Sequence, residues 1–574
     1  VLIHLANQLA NYLANQTHED DTMCRTRPQP FLCPPPTPSG RRPVTWRVLI
    51  LGLVLAGPVQ SQLIPETSLA FSHEDPAPRT RLAGDSLLNN SLGEALAAGD
   101  FNGDGYLDLV IGTPQYGESQ TSPGAVNVVY GGPGGLSATD AAVENQFWNQ
   151  AGAVEGGSEN GDRSGHAVAA ADFNGDGVDD LVFGSPGEDI GSISNAGAFN
   201  VIYGSPSGLT SARNRQFYQG RDIGIVDGVD FGAVGGAAER DNELGWSLAT
   251  ADFDQDGFDD VAVGIRREDI GSIADVGSVQ VFFGSANGLT AVRDRFLDRS
   301  VLAAAGPPEQ FDRFGETVAA GDFNGDGWPD LAVGAPWDEQ DVSAGGTVHL
   351  IYGTPDGFDR DNDELLTMDA PSANDEMGKA LTVGDFDGDG LDDLVIGTPG
   401  FDNASGAALL IYGAGNGLGS SPRRLLLRPG SDAFPGSAQQ SSRFASSLSA
   451  GDIDGDGVHD LIVGRRNFDL DGNSDIGQVL IAFGRDPIGV LGFGSVLWTR
   501  SDLSRTGSAR QNDRFGTAVL LADFNADGRA DAAISSPDRS VGGVNGAGDV
   551  VVISTSEGLF SDRFEVQGSG PPGL

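Results

Sequence analysis

Gly321–Pro336 reads GDFNGDGWPDLAVGAP, and its reading decides the fold. Asp322, Asn324, Asp326 and Asp330 stand at relative positions 1, 3, 5 and 9, with Gly327 at position 6. Short oxygen-bearing side chains at alternate positions of a tight loop converge on one point, and the carbonyl at position 7 (Trp328) adds another oxygen. That set suits a hard cation, and Ca²⁺ takes about six to eight oxygens in a tolerant geometry. Position 12 is Val333, where a helix–loop–helix calcium site carries glutamate. It lies in a short, branched apolar run (LAVGAP) ended by Gly and Pro, which predicts a strand. The stretch therefore predicts a calcium loop joining two β-strands.

The pattern occurs seven times, its first aspartates 72, 80, 70, 63, 67 and 71 residues apart. The expected ligands, with the position-7 carbonyl fourth in each set, are Asp100, Asn102, Asp104, Tyr106 and Asp108 in the first loop and Asp172, Asn174, Asp176, Val178 and Asp180 in the second. Asp252, Asp254, Asp256, Phe258 and Asp260 follow in the third, and Asp322, Asn324, Asp326, Trp328 and Asp330 in the fourth. The last three are Asp385, Asp387, Asp389, Leu391 and Asp393; Asp452, Asp454, Asp456, Val458 and Asp460; and Asp523, Asn525, Asp527, Arg529 and Asp531. Three or four converging carboxylates repel one another unless a cation joins them. The competing reading is a set of plain Asx-rich turns, since Asp, Asn and Gly favour turns without any metal.

Each period near 70 residues holds four strand signals. One runs into the loop (TVAAGDF) and one leaves it (PDLAVGAP). A third alternates (GTVHLIYGT), and a weaker fourth (ELLTMD) follows a Gly turn. Four antiparallel strands in seven units describe an all-β, seven-bladed β-propeller over residues 83–574. Ring closure is expected from the stretch before Asp100 (TRLAGDSLLNN) or from the final RFEVQG. Residues 62–82 are polar and Pro-containing, and read as a linker.

Net charge is −47 and Lys379 is the single lysine, a balance unsuited to nucleic acid or an anionic membrane surface. The two cysteines, Cys24 and Cys33, fall in residues 1–61, which read as a leader. Arg41, Arg42 and Arg47 precede the apolar run Val48–Ala56, and Val59-Gln60-Ser61 supplies small residues for cleavage near Ser61. Residues 1–22 are an over-extended start or true leader, and an uncleaved N-terminal anchor is the alternative. The mature chain is expected to be secreted or surface-exposed, without a transmembrane span, and stapled by metal instead of disulfides.

These residues resemble the FG-GAP repeats of the integrin alpha-chain propeller. The GAP element is Gly334-Ala335-Pro336, varied to Gly112-Thr113-Pro114, Gly184-Ser185-Pro186, Gly397-Thr398-Pro399 and Ser535-Ser536-Pro537, and reduced to its glycine in Gly264-Ile265-Arg266 and Gly464-Arg465-Arg466. The FG element is Phe314-Gly315 and Phe515-Gly516, weakened in the other five repeats. The resemblance implies a Ca²⁺-binding propeller, with up to seven ions, one per blade, and a protein-interaction or cell-adhesion role. In integrin alpha chains three or four blades usually carry the loop, whereas here all seven do, and the 80-residue interval holds no inserted domain. The expectation is a bacterial-type, free-standing propeller that binds an extracellular protein or glycan.

Catalytic signals are few. No G-x-S-x-G, H-E-x-x-H or P-loop motif occurs. His166 and His349 read as solvated or packed strand residues, and His459, at position 8 of loop six, is expected to point outward. Phe147, Trp148, Phe217, Tyr218, Trp337 and Trp498 would serve a lectin-like binder of extracellular polysaccharide, but read first as blade packing. A propeller hydrolase with a central-channel site is the remaining alternative. The chain is expected not to be an enzyme.

Overall fold

The computed structural model describes residues 68–72, 82 and 89–555, with breaks at 118–121, 138–142, 153, 227, 340–341, 432–433 and 504–507. The leader, the cleavage point near Ser61 and the expected closing strand RFEVQG lie outside the described residues.

Blade four shows how the sequence builds each unit. Its strands are Thr317–Gly321, Asp330–Ala335, Thr347–Thr354 and Gly357–Leu366, each paired antiparallel with the next. Gly321 faces Asp330 across the inner hairpin, so the metal-type loop is the connection between them. Asp330–Ala335 is buried at every position, as is the second strand of every blade, while the inner strands are half-buried. This follows from placement: the second strand is sandwiched between neighbouring blades, and the inner strand faces the axis. Each inner strand touches those of both neighbours, and Val519–Ala522 touches Ala95–Gly99, which closes the ring. The chain is a seven-bladed, all-β propeller.

Seven apolar clusters fill the seven blade interfaces. The position-2 side chain of each loop, Phe in six and Ile453 in loop six, wedges into one of them. Phe323, for example, packs with Leu394 and Ile396 of the next blade. Beside these clusters the blades meet glycine on glycine. A Cβ on Gly334 would lie 2.3 Å from the Gly378 carbonyl oxygen, and one on Gly184 would lie 1.9 Å from that of Gly245. This close approach explains why the GAP glycine survives even in Gly264-Ile265-Arg266 and Gly464-Arg465-Arg466.

Closure differs from expectation. Ser68–Phe71, inside the stretch read as linker, pairs with Asp549–Ile553 as the outer strand of blade seven. Phe71 is fully buried in the interface between blades seven and one, so a short apolar segment among polar residues carries the seal. The long interval between loops two and three holds a two-stranded hairpin, Ile225–Val226 with Val229–Asp230.

Candidate metal loops and the axial cluster

Antiparallel order places the loops between first and second strands, and the turns between third and fourth, at one end of the ring. All other connections lie at the opposite end.

The seven loops share one hydrogen-bond scheme. The position-1 carboxylate accepts the position-5 N–H and the N–H of the glycine at position 6. In loop four Asp322 accepts from Asp326 at 3.1 Å and Gly327 at 2.9 Å. The position-5 carboxylate then accepts the position-7 N–H, as Asp326 does from Trp328 at 2.9 Å. Loop seven obeys the scheme despite Ala526, whose φ of 54° reproduces the glycine conformation. These are nested Asx turns, and they hold the loop closed with its acidic side chains gathered.

Position 9 does something the sequence reading missed. Asp330 Oδ2 accepts the Phe323 N–H at 3.0 Å, and Oδ1 accepts the Gly353 N–H at 2.9 Å. It thus ties the loop to the end of the third strand. The equivalent aspartate in every blade makes that second bond, to Gly131, Gly204, Gly284, Gly413, Gly484 and Thr555 in the other six. Burial pushes the Asp330 pKa up to about 7 and that of Asp460 up to about 8, against the backbone hydrogen bonds that lower them.

In loops three, five and six the carboxylates at positions 1, 3 and 9 bring oxygens within 4.8 Å of one another: Asp252, Asp254 and Asp260; Asp385, Asp387 and Asp393; Asp452, Asp454 and Asp460. Within these clusters Asp254, Asp387 and Asp454 each leave a buried Oδ1 without a hydrogen-bond partner among the described residues. A buried carboxylate oxygen with no donor is costly, and a cation is the group that satisfies it. The donor set therefore fits a hard metal ion.

Neighbouring loops are latched together. The position-1 N–H of one loop is held by the position-8 side chain of the next blade: Asp100 by Asp179 at 2.8 Å, Asp172 by Asp259 at 3.0 Å, and Asp322 by Asp392 at 2.9 Å. His459 belongs to this series. Its Nδ1 accepts the Asp385 N–H at 3.1 Å, so it faces the neighbouring loop and does not point outward. Arg529 of loop seven reaches the Asp454 carbonyl in the same sense.

The FG-GAP repeat family matches residues 92–129, 164–202, 244–282, 314–351, 377–416, 444–481 and 515–553, one match per blade. The chain is a propeller of seven FG-GAP repeats. Among curated proteins it is 31% identical to Integrin alpha pat-2 of Caenorhabditis elegans over 316 residues, covering 50% of this chain and 22% of that one. It is 30% identical to Integrin alpha-5 of Xenopus laevis over 229 residues, covering 39% and 20%. It is also 36% identical to phosphatidylinositol-glycan-specific phospholipase D of Rattus norvegicus over 157 residues, covering 27% and 18%. The alignments thus span about a fifth of each of these relatives.

At the end opposite the metal-type loops, residues that directly follow FG elements meet across blades. Trp246 lies under the Arg266 guanidinium, 3.1 Å from its ring centroid, and against His166 at 4.0 Å. Arg266 also pairs with Glu243 and, at 3.5 Å, with Glu316, which Lys379 joins. Burial, then the nearby Arg266 and Arg163, push the His166 pKa down to about 3, so the ring is neutral. Of these residues the sequence reading names Lys379, His166 and, as part of a degenerate GAP element, Arg266; it assigns none of them to an axial set. The usable signal was the shared register of His166, Trp246, Glu316 and Lys379, one residue after the FG glycine. Of the aromatic residues singled out for sugar stacking, Phe217 and Trp498 are buried. His349 is fully buried and packs edge-on against Phe314 at 5.2 Å. Among the described residues no helix is long and apolar enough to cross a membrane.

Proposed function

We propose that this chain is a secreted or surface-exposed interaction module: an FG-GAP propeller stabilised by calcium that presents its FG–GAP end to an extracellular protein. The observation carrying this reading is the division of labour between the two ends. At one end, seven loops of one geometry gather carboxylates, and orphaned oxygens on Asp254, Asp387 and Asp454 support a bound cation. At the other end the connections differ in length and composition around Trp246 and Arg266. Exposed connections on a rigid scaffold are where binding is usually placed. Similarity to integrin alpha chains supports an adhesion role, and the ligand is expected to be a protein before a glycan. Calcium is expected at all seven loops through the thirty-five residues named above, as a structural ion that keeps the scaffold closed. The reading assigns no catalytic step to the repeats, and it places the chain outside the membrane after cleavage near Ser61.

The test is adhesion of the immobilised chain to a panel of extracellular-matrix proteins, with calcium and with chelator. Wild type is expected to retain a partner in calcium, and the double variant Trp246→Ala/Arg266→Ala to lose it at a temperature well below its own, lowered unfolding midpoint. Retention unchanged in the variant would remove the FG–GAP end from the reading.

A further inference from the structure

Position 3 is asparagine in loops one, two, four and seven, and aspartate in loops three, five and six. The all-aspartate loops thus hold four carboxylates where the others hold three. In each of them an arginine from the fourth strand (Arg293) or from the turn before it (Arg423, Arg485) reaches the position-3 carboxylate. Arg293 meets Asp254 Oδ2 at 3.3 Å, Arg423 pairs with Asp387 Oδ2, and Arg485 meets Asp454 Oδ2 at 2.6 Å and Asp456 Oδ2 at 2.7 Å. Each arginine also stands over the aromatic ring that ends or follows the third strand of its own blade: Phe283 at 5.7 Å, Tyr412 at 4.1 Å and Phe483 at 5.4 Å. Blade two supplies an internal control. Arg213 occupies the strand position of Arg293 and stands over Tyr203, but position 3 of its blade's loop is Asn174, and among the described residues Arg213 makes no ion pair.

We propose that Arg293, Arg423 and Arg485 are built-in counter-charges of the metal loops: each neutralises the fourth carboxylate through Oδ2 and aims the free Oδ1 of the same side chain at the cation. The ligand set then carries three net negative charges in every blade, whether position 3 is Asn or Asp. Only Oδ2 is held in all three, and Oδ1 of Asp254, Asp387 and Asp454 is the buried, partnerless atom. Fixing a ligating carboxylate from its outer oxygen is a common way to orient it toward a metal. With the cation absent, the guanidinium still relieves repulsion in these three loops, which makes them less dependent on calcium for their shape than an uncompensated set of four carboxylates would be. The inference rests on the calcium reading above.

A double-mutant cycle on Arg423 and Asp387 tests it, read as the thermal midpoint in chelator and in calcium. Arg423→Gln is expected to lower the chelator midpoint by about 2 °C, and Asp387→Asn to change it little, since it removes the fourth charge while Arg423 keeps its bond to the Ile488 carbonyl. The double variant, whose loop reads like that of blade four, is expected to recover. In calcium the penalty of Arg423→Gln shrinks, because the ion supplies the missing charge. Arg213→Gln is the control and is expected to change neither midpoint. Additive single effects in chelator, or a coupling of the same size with and without calcium, would overturn the proposal. A wild-type midpoint that ignores calcium, together with a nonzero coupling, would remove the calcium reading and leave the arginine as a counter-charge for Asp387 alone.

Discussion

Asp330 and its six equivalents accept the N–H that ends the third strand, while Asp326 accepts within its own loop, from the Trp328 N–H and the Asn324 side-chain amide. The two positions therefore respond differently to substitution. Asp330→Ala strands the Gly353 and Phe323 N–H groups, and is expected to cost about 2–3 kcal/mol without calcium and more with it, where a ligand is lost as well, measured by chemical denaturation. Asp326→Asn keeps an acceptor for Trp328 and removes one charge, so it should leave calcium-free unfolding nearly unchanged and reduce the calcium-induced rise in midpoint. Away from the loops, burial first and Asp538 second push the Glu94 pKa up to about 7, against Arg466 and Arg514. A carboxyl group raised in the folded state adds stability that is complete below its unfolded pKa of 4.5 and is lost as pH rises through about 7. Glu94→Gln is expected to flatten that part of the stability profile between pH 5 and 8; an unchanged slope would show that Glu94 is not its source.

Between elements, the decisive contacts are backbone approaches and latches that span blades. A methyl group on Gly334 would press on the Gly378 carbonyl, which backbone movement alone can relieve. Gly334→Ala is therefore expected to cost about 1–3 kcal/mol or more, seen as a lower unfolding midpoint. These contacts mark the limit of what the sequence makes readable. The loop positions, strand order and blade number follow from spacing within one repeat, and all seven inner hairpins lie where spacing puts them. The latch made by His459, the arginines over loops three, five and six, and the axial set around Trp246 depend on register between separate strands. Position along the chain does not reveal that register. His459 was misjudged for this reason: position 8 looks outward within its own blade, and the neighbouring loop occupies that side.

For the whole molecule, the ring is only as closed as blade seven. Its outer strand comes from Ser68–Phe71 and its other three from residues near the far end of the described chain. A chain lacking residues 1–72 would expose the edge of Asp549–Ile553 and the cavity left by Phe71. It is expected to unfold at lower temperature and to associate in a concentration-dependent way, measured by light scattering. Charge acts at the same scale. The proposed ligand positions hold 24 of the 81 acidic residues, and seven divalent ions would bring the net charge from −47 to −33. Much of the electrostatic self-repulsion is thus concentrated where ions relieve it.

The four-residue pairing of Ser68–Phe71 with Asp549–Ile553 also has a mechanical meaning. Among the described residues Ser68–Phe71 joins the ring through that one backbone ladder, so tension applied at Ser68 passes into blade seven through it. Pulled along its length, the strand must break its bonds together, in shear; pulled sideways, it peels one bond at a time. The clasp is thus the fuse of the molecule, and under load the propeller should part at blade seven while the other six remain folded.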